Sequence, residues 1–285
     1  MSVKNFIPTI WNEHILREVE RRNVFVPDCN REYEGNIKHM GDSVRILSQG
    51  DPTLKTYNGG TIDAPEELDT SAITMIIDQA KYFNFQVEDV DAAQAVKGIL
   101  ERAIKRASAK IAKDHDLFIS KMVLDPQVKK LYGTAPTLVA TGATSGQVNV
   151  LDALDYAVQL MRENDIDGDD LVVVVSPRFA NLFKKAYTTK DTDNSEMLRN
   201  HLLANYNGVA VKWSNNVSVS TTTNAGDTDN IMIRTKNAIA FANQLTKTEA
   251  FRPDNAFADA VKGLDVYGGK IVYPKEILNI NVKYA

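Results

Sequence analysis

Apolar and polar positions follow three different rhythms along this chain of 285 residues. The first is a two-residue alternation. Gly41-Asp42-Ser43-Val44-Arg45-Ile46-Leu47 reads as a turn entering a strand over Val44–Leu47. After a gap, Ile73, Met75 and Ile77 alternate with Thr74, Ile76 and Asp78; then Phe83, Phe85 and Val87 alternate with Tyr82, Asn84 and Gln86. Such alternation sorts side chains onto the two faces of a strand. The gap, Gln49 to Thr70, is poor in apolar residues and carries Pro52, Gly59, Gly60 and Pro65, which favour turns and extended backbone. The pattern predicts a long two-stranded hairpin over 41–87, projecting from the body with few contacts to it.

The second rhythm has steps of three and four. Val96, Leu100, Ala103, Ile104, Ala107, Ile111, Phe118 and Met122 share one face, and Arg102, Lys105, Arg106 and Lys113 project from the opposite one. No proline interrupts this pattern before Pro126, so one helix is expected from about residue 90 to 124. At 1.5 Å per residue it would approach ~50 Å, long for a domain of this size. Gly98 sits within it and costs about 1 kcal/mol relative to alanine, enough to permit a bend.

The third rhythm is the mixed pattern of an α/β region. A Thr/Gly-rich connection runs from Gly133 to Gly146. Asn149 is placed to cap a helix bearing Leu151, Leu154, Val158 and Met161 on one side. Leu171 to Val175 reads as a buried strand, and Ser176-Pro177 as the start of another helix with Phe179, Leu182 and Phe183 inward. Further strands are expected at Val209–Trp213, Ile231–Arg234 and Ala238–Phe241. The Ser/Thr-rich run Ser218 to Asn230 reads as a loop. Near the N-terminus, Ile15, Leu16 and Val19 mark a short helix. The preceding Phe6-Ile7-Pro8-Thr9-Ile10-Trp11 is an apolar cluster that either fills the chain's own core or anchors an arm on a neighbour.

Composition narrows the function. With 44% hydrophobic and 25% charged residues, a packed core is expected. A net charge of −4 and pI near 5.7 argue against a dedicated nucleic-acid binder, while leaving room for a local basic face. That face, Arg102, Lys105, Arg106 and Lys113, is either a solvated surface or a contact for polyanions or an acidic partner. Cys29 is the only cysteine, so no intrachain disulfide can form. No apolar run is long enough to span a membrane, and the N-terminus lacks a secretion signal, so cytoplasmic synthesis is expected and no membrane partner.

Catalytic motifs are missing. His14, His39, His115 and His201 lack metal-ligand spacing. No phosphate-binding loop, dinucleotide fingerprint or nucleophile elbow occurs. In Asp165-Ile166-Asp167-Gly168-Asp169-Asp170, a calcium-loop alignment would put Val174 where a bidentate glutamate is required, so a helix-to-strand turn is expected. No catalytic, cofactor or metal site is expected.

Several phrases, in order, carry a family resemblance. Phe6-Ile7-Pro8-Thr9-Ile10-Trp11 resembles the opening of tailed-bacteriophage major capsid (coat) proteins. Gly41 to Ile46, and Ala80-Lys81-Tyr82-Phe83-Asn84-Phe85-Gln86-Val87-Glu88-Asp89-Val90-Asp91-Ala92-Ala93, are similar to the same family. So is the ending Phe257 to Pro274, with Gly263-Leu264-Asp265-Val266-Tyr267-Gly268-Gly269. The resemblance implies an α+β chain of the Hong Kong 97-type capsid fold, with N-terminal arm, extended β-hairpin loop, long spine helix, and peripheral and axial domains. The implied divisions are arm 1–40, hairpin loop 41–87, spine helix 88–126, axial domain 127–251, and strands 252–285 returning to the peripheral domain.

The same resemblance implies a virion shell protein whose partners are itself, as pentamers and hexamers, a scaffolding protein, a portal, and packaged double-stranded DNA held without base selectivity. Because the chain opens almost at the arm, a separate scaffold is expected. Phe6, Trp11, Lys55 and Tyr57 are the candidates for intersubunit contact. Arg102, Lys105, Arg106 and Lys113 are the candidates for an inner basic surface, and Gly98, Gly133 and Gly146 for flexibility. Some relatives join subunits through a Lys–Asn isopeptide; Lys55 lies in the loop, but the sequence identifies no partner for it. Two other readings remain: an encapsulin-type compartment with the same fold, and a cytoplasmic α/β enzyme with an unrecognised site.

Overall fold

The computed structural model describes residue 15 and residues 17–33, 41–49, 53–54, 56–57, 70–88, 99–166, 170–188, 206–222, 226–251 and 258–284. Phe6, Trp11, Lys55 and Gly98 lie outside the described residues, as does the expected start of the long helix. In chain order the first strands are β1 (Ser43–Gln49), β2 (Thr70–Ile76), β3 (Gln79–Glu88), β4 (Lys129–Lys130), β5 (Thr137–Val139) and β6 (Gln147–Asn149). They are followed by β7 (Val172–Val175), β8 (Ala210–Trp213), β9 (Ser218–Thr222), β10 (Gly226–Arg234), β11 (Ile239–Phe251), β12 (Ala258–Ile271) and β13 (Ile277–Tyr284). The helices are α1 (Ile99–Lys121), α2 (Val150–Glu163) and α3 (Pro177–Thr188).

The valine run makes β7 a central strand. It is buried throughout, pairs in parallel with β8, and runs antiparallel to β10. Together with β6, β5 and β13 these strands form a sheet of order β6-β5-β13-β10-β7-β8, with β4 on β13 and β9 on β10. Leu151, Leu154, Val158 and Met161 of α2 and Phe179 and Phe183 of α3 are all buried in the same cluster as Val173 and Ile231. Burying each such side chain contributes about 1.5–3 kcal/mol. The helix starts follow their caps: Asn149 Oδ1 accepts from the Leu151 N–H at 2.9 Å, and Ser176 Oγ from the Phe179 N–H at 3.3 Å.

A second, three-stranded sheet has the order β11-β12-β3, with long antiparallel registers. The helix α1 lies beside it. Within the described residues α1 is one unbroken helix of 23 residues, about 35 Å long at 1.5 Å per residue, ending in a 3₁₀ turn at Met122–Leu124. The hairpin β1–β2 is a separate two-stranded ribbon, Ser43 opposite Ile76 and Gln49 opposite Thr70.

Four expectations change. The hairpin ends at Ile76, because β3 leaves it to pair with β12 from Ala258 to Tyr267; Phe83 and Phe85 then reach the cluster around Ile104 and Ala112. The Ser218–Asn230 loop is instead a hairpin of β9 and β10, with Val219 opposite Asp229. Polarity had suggested a loop, yet threonine is β-branched and suits a pleated surface. The boundaries at 251 and 252 also move: β11 belongs to the three-stranded sheet, whereas β13 crosses back to pair with β10 along its length. Finally, Gly133–Gly146 is not a free connection. It contains β5, which pairs with β13 and β6 and buries Leu138.

Candidate assembly surface

The hairpin's two ends are built differently. At its root, Val44, Ile46, Met75 and Ile77 are buried against Ala240, Ala242, Val266 and Val272. The Gly41 N–H donates to the Ile77 carbonyl at 2.8 Å, and the Ile77 N–H to the Asp42 carbonyl at 3.0 Å, closing the ribbon. Gly268 of β12 lies directly beneath: a Cβ there would come within 2.6 Å of the Ile76 carbonyl oxygen and 2.9 Å of Ile77 Cα. The expectation of few contacts to the body therefore fails at the root. Towards the tip, Leu54 is 98% exposed and Tyr57 69% exposed. Tyr57 is the one described member of the intersubunit candidates, and it faces solvent.

The helix α1 buries more than hydrophobic periodicity captures. Ile104, Ala112 and Ile119 are buried, as is Val123 in the turn that follows, and so are Ser108, His115, Asp116 and Ser120. Ser108, His115 and Asp116 each find a partner, although the buried His115 Nδ1 has none among the described residues. Ser108 Oγ donates to the Ile104 carbonyl at 2.9 Å. His115 Nε2 lies 2.6 Å from Asp265 Oδ2 on β12, with the ring edge-on to Tyr267 and Phe241. Tyr267 donates its hydroxyl to Asp114 Oδ2 at 2.6 Å. Burial first, and then this hydrogen bond to a carboxylate, push the Tyr267 pKa well above the ordinary tyrosine value.

Asp116 ties α1 to the N-terminal segment. Its carboxylate accepts from the N–H groups of Val24 and Phe25 at 3.0–3.2 Å and from Asn216 Nδ2 at 3.3 Å. Burial raises its pKa, and the two backbone hydrogen bonds oppose that shift. The fully buried Arg234 of β10 grips the same segment, donating to the carbonyls of Phe25 and Asp28, while Lys212 Nζ reaches Asp28 Oδ2 at 2.6 Å. Residues 23–30 thus lie between α1 and the larger sheet, held by charged groups from both. A full set of partners is what makes such burial tolerable.

On its outer side α1 presents Arg102, Lys105, Arg106 and Lys113, all exposed as expected, and also Lys110, one turn beyond Arg106. Arg102, Arg106 and Lys110 border an open groove of about 890 Å³ between α1 and β3, joined across it by Lys81. Its floor is apolar: Phe83 and Phe85, stacked with ring centroids 6.1 Å apart, with Ala103, Ala107 and Ile111. Lys105 and Lys113 do not line it. All four cations expected on this side of α1 are nevertheless exposed.

Gly133 and Gly146 occupy open surroundings, and Gly146 has a positive φ of +80° that favours glycine. Among the described residues no group of three His, Cys, Asp or Glu side chains is placed to hold a metal ion. Cys29 is buried, and burial pushes its thiol pKa up, with Arg234 opposing. No helix among the described residues is long and apolar enough to cross a membrane.

No protein-family model and no curated protein matches the chain. Solved structures do. One from Mycobacterium phage Che8 is 27% identical, covers 90% of this chain and 90% of that chain, and has a TM-score of 0.69. The capsid structure of cyanophage P-SCSP1u is 16% identical, with 92% and 89% covered and a TM-score of 0.64. A virus-like particle from Pyrococcus furiosus is 13% identical over 96% and 99%, with a TM-score of 0.56. The likeness takes in nine-tenths or more of the chain, well beyond either sheet alone. Sharing its fold with phage capsid structures over that length, the chain has the fold of a tailed-phage major capsid protein.

Proposed function

We propose that copies of this chain group as pentamers and hexamers and close into the icosahedral shell of a phage head around packaged double-stranded DNA. The observation that carries this reading is the likeness to phage capsid structures over nine-tenths of the chain. The hairpin supports it: an isolated two-stranded ribbon is marginal in water, and this one holds Leu54 and Tyr57 out into solvent. A neighbouring subunit would cover them. Phe6, Trp11 and Lys55 are assigned to the same kind of contact, as arm and loop positions.

A scaffolding protein and a portal are the assembly partners in this reading. Arg102, Lys105, Arg106 and Lys113 supply a basic strip towards scaffold or DNA phosphates, weak and salt-dependent because phosphate contacts release counterions. Replacing all four with glutamine should weaken scaffold association and genome retention more at low salt than at high salt. Unchanged values at both would return the strip to an ordinary solvated face. Gly98, Gly133 and Gly146 are assigned to the small bends by which one chain fits non-identical positions. Gly98→Ala should shift the particle size distribution while preserving the fold; particles identical to wild type would remove Gly98 from that role.

A second reading, a protein compartment of the encapsulin type, is favoured by the virus-like particle sharing the fold. Negative-stain microscopy of the purified chain tests both: closed particles of uniform diameter support a shell, and discrete small oligomers alone would overturn it. Nucleic acid copurifying with infectious particles assigns the shell to a phage, and enclosed protein cargo assigns it to a compartment.

A further inference from the structure

We infer that the groove between α1 and β3 seats an acidic amphipathic helix of a partner protein. The inference deepens the shell reading by giving an assembly partner its place and chemistry. The floor is the first argument. Ala103 and Ala107 are one turn apart on α1, and short side chains at that spacing let a second helix approach closely, as helix-in-groove recognition requires. Phe83 and Phe85 of β3 form the opposite wall, half-buried, so an apolar stripe entering the groove would complete their burial. Ile15 and Val19 already cover the neighbouring side of the same cluster at Ile104 and Ala112, leaving this side open among the described residues.

The rim is the second argument. Lys81, Arg102, Arg106 and Lys110 are exposed, and no ion pair joins any of them to another described residue. The two acids in the lining are engaged elsewhere, Asp114 by the Tyr267 hydroxyl and Asp265 by His115. The groove is therefore cationic on a chain whose net charge is −4. An acidic helix meets it with both features: apolar side chains to the floor, carboxylates to the rim. Duplex DNA matches the rim alone, since phosphates gain nothing from an apolar floor. The stretch of α1 from Arg102 to Asp114 spans about 18 Å, some three helical turns of a bound partner.

The test is fluorescence anisotropy with the purified full-length chain. The probe is a labelled peptide of about twelve residues, leucine at helical three-and-four spacing and glutamate between, sized to the groove at 1.5 Å per residue. Comparison ligands are the same residues in scrambled order, a peptide of this chain's residues 50–69, and a duplex DNA. The amphipathic probe should bind most tightly. Arg102→Gln/Arg106→Gln should weaken it about tenfold, as two partly exposed ion pairs are lost, while Lys105→Gln/Lys113→Gln should change it less than about twofold, because neither side chain lines the groove. Ala107→Trp, which fills the floor and keeps every charge, should abolish binding.

Equal binding of the scrambled peptide, or equal loss in the two double variants, would reduce the groove to a diffuse basic surface and overturn the inference. Tighter binding of the 50–69 peptide would give the groove to a second copy, and tighter binding of DNA to the genome; either overturns it. Circular dichroism checks that each variant is folded. Microscopy reports shell formation separately, so a wild-type chain that forms intact particles yet does not bind the probe contradicts the groove assignment alone.

Discussion

The large sheet and the small sheet of this molecule treat their apolar side chains differently. In the eight-stranded layer, β7 is buried along its whole length, and α2 and α3 cover it with side chains at most a few per cent exposed. Exposed apolar groups stand at its margins, Trp213 on β8 and Val219 on β9, and on its covering helix α2 at Tyr156. The three-stranded layer leaves Tyr82 81% exposed and Leu264 38% exposed as cross-strand partners, and it opens the basic-rimmed groove beside α1. The larger layer packs its core within the chain, and the smaller one leaves an apolar groove open beside α1. In a shell protein this separates residues that hold the fold from residues that join copies, so stability and assembly should respond to different substitutions.

Phe179→Ala should break the self-sufficient half most severely. Phe179 is 1% exposed under the large sheet, and a cavity of that size costs about 3–5 kcal/mol. Denaturant titration should show the loss, and assembly should fail for want of folded protein. Asp116→Ala comes next, because it strips two backbone N–H groups and Asn216 of their acceptor in a buried place. About 3 kcal/mol is expected, each unsatisfied group costing about 1–3. Proteolysis should then cut near residues 23–30 before the body unfolds; resistance equal to wild type would mean that Arg234 holds the segment unaided.

Gly268→Ala probes the joint between the halves and the hairpin. The added methyl meets backbone atoms that cannot swing aside, so about 1–3 kcal/mol and a displaced ribbon are expected. The informative outcome is a protein that melts slightly early yet forms few closed particles. Tyr267→Phe is milder, about 1–2 kcal/mol for a hydrogen bond to a carboxylate. It also carries a pH signature. A folded pKa above the unfolded value of about 10 means stability is full below that pH and falls as pH rises beyond it. Tyr267→Phe should make this alkaline decline shallower without removing it, since burial also raises Tyr284. Smallest of all, Tyr82→Ser should move stability by no more than about 0.5 kcal/mol, while lowering particle yield if that face meets a neighbour.

Much of the self-sufficient half was legible because its signals are local. The valine run, the Asn149 cap and the Ser176-Pro177 start each specify structure within a few residues, and each was found where expected. What escaped depends on pairing across long stretches of chain. Nothing near Phe83 says that β3 will abandon the hairpin for a partner beyond residue 258, and β13 returns to the large sheet only because β10 offers it an edge. Polar residues misled twice. The serine and threonine of 218–222 suggest a loop by composition, and the polar Ser108, His115, Asp116 and Ser120 do not announce themselves as part of the buried face of α1. Their burial rests on partners supplied by distant elements, Asp265 and the N–H groups of Val24 and Phe25 among them. Lys110 could have been found, since it continues the helical spacing of Arg102 and Arg106. The groove could not, because it exists only once β3 lies beside α1.

Hydrogen exchange before and after assembly tests the division between the two halves most directly. The purified chain and its particles would be labelled in parallel and compared peptide by peptide. Peptides covering 53–57, 81–86 and 102–113 should gain protection in particles, while those covering 172–175 and 231–233 should exchange equally slowly in both. Protection gained uniformly, or gained over the large sheet with none at the hairpin tip and β3, would contradict the account.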